Sequence, residues 1–145
     1  MRQTVWTAIV TGALLASPLA AQTAPSPEQQ LAPLVAELLD AANAHDTDRF
    51  LAPYLHDSTL VMVFNGTITR GFDQVRALQL KWWNNGVSDV VYRQAAPPTY
   101  RVLSPDLVLV TDPLASSHGE FVVTMVWQKR PEGWRIIQVH ESTTH

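Results

Sequence analysis

The chain has 145 residues, 46% of them hydrophobic, with 10 Lys and Arg against 13 Asp and Glu and a formal net charge of -3. That length suits one domain with one core, and basic residues scattered along it form no patch for nucleic acid. Cysteine is absent, which removes disulfides, thiol nucleophiles and thiolate metal ligands together.

The first stretch, Arg2 to Gln22, has the pattern of an export signal. It carries one positive charge at Arg2, an apolar run from Val5 to Leu15, a helix-breaking Ser17-Pro18, and small residues at Ala20 and Ala21. A membrane-spanning helix needs roughly 20 apolar residues, and this run is shorter and broken by Thr7, Thr11 and Gly12. The expectation is cleavage near Ala21 and an exported, periplasmic or secreted protein with no remaining membrane attachment. Residues 1–21 are then the signal, 22–30 a linker carrying Pro25 and Pro27, and 31–145 the domain.

Leu31, Leu34, Val35, Leu38 and Leu39 recur at the spacing of a helix with one buried stripe, ending near His45. Asp46 or Thr47 can cap a short second helix that turns Phe50, Leu51 and Tyr54 inward. Leu60 to Phe64 reads as a strand, and Asn65-Gly66 as a type I′ hairpin turn returning through Thr67 to Thr69. Gly71 opens a third helix with Phe72, Val75, Leu78, Trp82 and Trp83 on one broad arc, stopped by Asn84-Asn85-Gly86.

The remainder reads as β. Predicted strands cover Val90 to Gln94, Tyr100 to Leu103, Leu107 to Val110, Phe121 to Gln128 and Trp134 to Thr143. The last two form a hairpin closed at Pro131, Glu132 and Gly133. Asp112-Pro113 predicts a bulge or an edge, because proline cannot donate to a ladder.

Four stretches carry a resemblance to the nuclear transport factor 2-like superfamily, in its SnoaL-like branch. They are A-H-D-T-D-R-F-L-A-P-Y-L-H-D at Ala44 to Asp57, N-G-T-I-T-R-G at Asn65 to Gly71, L-S-P-D-L-V-L-V-T at Leu103 to Thr111, and V-W-Q-K-R-P-E-G-W-R-I-I-Q-V-H-E-S at Val126 to Ser142. The resemblance implies an α+β fold, a cone-shaped barrel of a curved, mostly antiparallel sheet wrapped around three helices from the N-terminal half. It also implies an apolar pocket at the open end and, often, a homodimer through the sheet. It implies no single activity, since the superfamily holds enzymes, kinase association domains and binding proteins. In ketosteroid-isomerase-like members a first-strand aspartate is the base, and Met62 takes its place here. The pocket arginines of kinase association domains fall at Glu141 and near Leu114.

Glu141 is the leading titratable candidate. If Ile137 and Val139 face the pocket, strand alternation puts Glu141 beside them, where burial raises its pKa and suits it to acid or base chemistry. In the opposite register, favoured by Trp134 and Ile136, Gln138, His140 and Ser142 face inward and His140 becomes the proton shuttle. Asp112 is a third candidate, beside its predicted bulge. Rim, interface or turn roles account for the same residues without chemistry.

Tyr54, Met62, Phe64, Trp83, Tyr92 and Glu141 are the expected ligand contacts, with Trp82 and Trp127 as further aromatic wall. No zinc-type histidine spacing, glycine-rich phosphate loop or dinucleotide fingerprint occurs, so neither metal nor cofactor is expected. The leading functional expectation is binding of a small, largely apolar molecule. A cofactor-free isomerase, cyclase or lyase in the same pocket is the alternative, and a ligand-free dimerisation module the second.

Overall fold

A computed structural model describes residues 24–143, so the expected signal at residues 1–21 lies outside the described residues. The first helix, α1 (Pro27–Asn43), starts ahead of the apolar stripe, inside the expected linker. Its start is set by a capping box: Ser26 accepts from the Gln29 backbone N–H while the Gln29 side chain accepts from Ser26 N–H, with Pro27 at the first helical position. The stripe begins only at Leu31 because the first turn is occupied by caps rather than core residues. Helix α2 (Thr47–Leu51) is capped by Asp46, whose carboxylate accepts from Arg49 N–H at 3.0 Å. Helix α3 (Phe72–Trp82) ends at Trp83 and passes into a 3-10 turn, Asn84–Gly86, in which all three residues have positive φ.

The strands are β1 (Val61–Phe64), β2 (Thr67–Arg70), β3 (Tyr92–Gln94), β4 (Thr99–Ser104), β5 (Leu107–Ser116), β6 (Gly119–Arg130) and β7 (Gly133–Thr143). Asn65 and Gly66, at φ 44° and 84°, make the expected I′ turn between β1 and β2. The sheet order is β2-β1-β7-β6-β5-β3, with β4 also on β5, and only the β1–β7 pairing is parallel. The fold is therefore α+β with a curved, mostly antiparallel sheet, as expected. The sheet that forms this cone is open and does not close on itself. Its edges do not pair: β2 ends one side, and on the other β3 and β4 share one edge of β5 in succession.

That succession also decides between the two readings of Asp112-Pro113, in favour of a local edge. The β5–β6 ladder runs through both residues without a shift, so no bulge exists there. Pro113 instead faces the gap between β3 and β4, where its carbonyl accepts from the backbone N–H groups of Ala95 and Ala96 and no acceptor waits for the hydrogen that proline lacks.

The bulge is in β7. Trp127 pairs with Ile136 and Val126 with Gln138, so Ile137 is the extra residue. Trp134 and Ile136 before it and Val139 after it are all buried on the inner face, while His140 is exposed. The two registers that the sequence set against each other are both present, one on each side of Ile137. Residue Ile137 itself is partly buried against the core.

The core lies between α1 and one end of the sheet. Leu31, Val35 and Leu51 pack with Val108, Val110, Trp127 and Ile136. Trp127, expected in the pocket wall, lies wholly in this core at 0% exposure. Among the described residues no helix is long and apolar enough to cross a membrane.

Candidate functional site

At the other end of the concave face the sheet and helices part around a cavity of about 350 Å³. Its floor is read off the strand register. Phe64, Glu141, Val123 and Asp112 form one row across β1, β7, β6 and β5, and Met62, Val139, Met125 and Val110 the next row toward the core. All but Val110 line the cavity. Two strand spacings separate Asp112 from Glu141, so their backbones are about 10 Å apart with Val123 between them. The opposite wall is Leu38, Leu39 and Ala42 of α1, Phe50 of α2, Tyr54 just after it, and Gln79 and Trp82 of α3.

Both carboxyls are held in their protonated form to unusually high pH by burial. Glu141 is pushed up to about 7 by loss of hydration alone. Asp112, at 4% exposure, is pushed up to about 6 by burial, although the Gln94 side-chain amide donates to its Oδ1 and draws it the other way. Among the described residues nothing hydrogen-bonds to the Glu141 carboxyl, so its oxygens are free toward the cavity. Burial raises the Tyr54 and Tyr92 hydroxyls as well, and the Glu141 charge adds to both.

The aromatic wall is positioned by polar clamps. Trp83 donates its indole N–H to the Tyr92 hydroxyl oxygen at 3.1 Å, which leaves the Tyr92 hydrogen available to the cavity. Asn43, the last residue of α1, holds the start of β3 with both side-chain atoms, accepting from Tyr92 N–H at 2.7 Å and donating to its carbonyl at 3.0 Å. Trp83 also meets Phe50 and His45 edge to face, and Trp82 lies against Phe64 with centroids 4.7 Å apart.

Every expected ligand contact, Tyr54, Met62, Phe64, Trp83, Tyr92 and Glu141, lines this one cavity, and so does Asp112. His140 does not: it lies on the outer face, opposite Thr124, because the Ile137 bulge sets the phase of everything after it. Asn43, Gln79 and Gln94 had no signal in the sequence. Their roles depend on contacts up to 49 residues apart, and only the capping position of Asn43 at a helix end was open to local reasoning.

An open, curved sheet over three helices with a cavity at one end defines the nuclear transport factor 2-like, or cystatin-like, class. The chain belongs to the SnoaL-like domain family within it, whose sequence profile matches residues 32–145. An NTF2-like protein of unknown function from Pseudomonas putida is similar at 18% identity and TM-score 0.69, over 79% of this chain and 84% of that one. A second, from Shewanella oneidensis, gives 20% and 0.68 over 80% and 98%. A protein named as a candidate ketosteroid isomerase from Parabacteroides distasonis gives 21% and 0.61 over 77% and 85%. Identities this low establish the fold alone. No functionally curated protein matches the sequence.

Proposed function

We propose that the protein binds a small, largely apolar molecule in the cavity at the open end of its sheet. The observation that carries this reading is the cavity itself: its size suits a ligand of a few fused rings, its walls are mainly aromatic and aliphatic, and a few polar groups converge on it. The test is native mass spectrometry of protein purified without denaturant. A non-covalent adduct that is released on unfolding is the expected result. Apo mass alone, with no thermal shift from a library of apolar compounds, would refute the reading.

A second reading, cofactor-free proton transfer, is favoured by one observation. Glu141 titrates at about 7 and faces the cavity beside Tyr92, so at neutral pH it is poised to give or take a proton. Met62 offers only a thioether where isomerase-like relatives hold their base, and Glu141 lies on the neighbouring strand, one row further toward the mouth. If this reading holds, Glu141→Gln lowers turnover by roughly 10²-fold while affinity changes little. Unchanged kcat in that variant would remove Glu141 from the chemistry.

Dimerisation through the outer face of the sheet belongs to the same proposal. Leu109, Val122 and Val126 form a partly exposed apolar strip there across β5 and β6. Light scattering should give twice the chain mass, and Val126→Lys should give the monomer. A wild-type monomer at tens of micromolar would exclude the dimer.

A further inference from the structure

Among the described residues no Lys or Arg lines the cavity, whereas Asp112 and Glu141 face each other across Val123 on its floor. An anionic ligand would bring a further negative charge to two carboxyls already short of hydration, with no Lys or Arg among the described lining residues to offset it. A neutral apolar ligand would leave the Glu141 oxygens without a partner whenever that carboxyl is ionised. A cation answers both conditions. Around Glu141 the walls are aromatic: Phe64 is its cross-strand partner, Trp82 lies on Phe64, and Tyr54 and Tyr92 feel its charge. Ring faces of this kind attract an ammonium group stripped of water.

We infer that the ligand is an organic cation, a compact apolar body carrying one protonated amine, with the nitrogen seated at Glu141 on the Asp112 side of the floor and the body against the aromatic wall. The inference rests on the proposed binding role of this cavity and narrows it to one chemical class. The groups facing the two carboxyls are Tyr54, Tyr92, Gln94 and Tyr100, with His118 and Glu120 at the mouth. None of these described residues is a fixed cation, so ionisation of Asp112 and Glu141 adds negative charge to the cavity floor as pH rises.

The test uses three probes of one shape: adamantylamine, adamantanol and adamantanecarboxylate. Calorimetric titration of the full chain at about pH 8, where both carboxyls are charged, should show the amine binding roughly 10-fold or more tightly than the alcohol. The carboxylate should bind weakest. At about pH 5 the amine remains protonated, the carboxyls do not remain charged, and the preference should collapse. Glu141→Gln should bring amine and alcohol close to parity at about pH 8. Asp112→Asn, a second variant that does not depend on Glu141→Gln folding, should reduce the same preference by a smaller factor.

Equal affinity for amine and alcohol, or tighter binding of the carboxylate, overturns the cationic class while leaving small-molecule binding in place. An amine preference indifferent to pH and to both variants overturns it too, since the amine would then bind elsewhere. Failure of all three probes to bind also overturns this inference, and the co-purification result judges the parent reading separately.

Discussion

Trp127→Ala is expected to destabilise the domain by about 3–5 kcal/mol, a large share of the roughly 5–15 kcal/mol that a domain of this size has in total. Trp127 is fully buried and sits where α1, β5 and β7 converge, so truncation leaves a void that the surrounding Val108, Leu31 and Ile136 cannot fill. Thermal unfolding should fall by roughly 10–20 °C. Trp127→Phe should be far milder, about 1 kcal/mol, for a specific reason: the indole N–H is buried with no hydrogen-bond partner, and removing an unsatisfied donor offsets part of the lost packing. Denaturant titrations of the two variants check both values. A cost for alanine below about 1 kcal/mol would mean that the cluster around Trp127 does not hold the fold together.

The second large effect is pH-dependent. The Glu141 carboxyl, at 4.5 in a solvated chain, titrates at about 7 in the folded protein, because burial penalises its charge. The folded state therefore holds this proton more tightly than the unfolded chain does. The associated stability is present below about 4.5 and is lost as pH rises through about 7. Across that window the loss amounts to at most about 3 kcal/mol. Asp112 acts in the same direction from 3.8 to about 6.

Glu141→Gln keeps the shape and removes the titration. It should be nearly neutral at about pH 4 and more stable than wild type at about pH 8, by up to about 3 kcal/mol. Asp112 is present in both proteins and drops out of the difference. Urea unfolding at the two pH values measures it. A difference that stays constant with pH would show a Glu141 carboxyl that titrates as in open water. A variant that gains stability while losing ligand preference would fit a residue kept for function at a cost in stability.

Local signals carried most of the architecture. The apolar stripe of α1, the Asp46 cap and the Asn65-Gly66 turn each act within a few residues, so their outcome is written in adjacent side chains. The long β6–β7 hairpin is equally local, joined by a turn of two residues, and so the α+β class was accessible from the chain alone, whereas the pocket at the open end was implied by the family resemblance. The start of α1 was missed by a turn because a capping box, unlike an apolar stripe, leaves no periodicity. Barrel closure was a different matter, since it depends on how far the two sheet edges travel around the helices.

What the amino-acid order determined by itself was two pairs of inward candidates on β7, Trp134 with Ile136 in one phase and Val139 with Glu141 in the other. It could not determine that all four point inward together, because a strict alternation forbids Ile136 and Val139 from sharing a face. Only the pairing with β6 resolves this, by extruding Ile137 as a bulge and reversing the phase beyond it. That one extra residue puts Glu141 in the cavity and His140 on the outer face. Pairing between strands also set the row that joins Glu141, Val123 and Asp112 across three strands, a relation between residues 29 apart at its ends. Alternation is a property of a single strand, whereas register and bulges arise from the free energy of two strands fitting against a shared core; so the candidate residues were legible in the sequence and their convergence was decided by the fold.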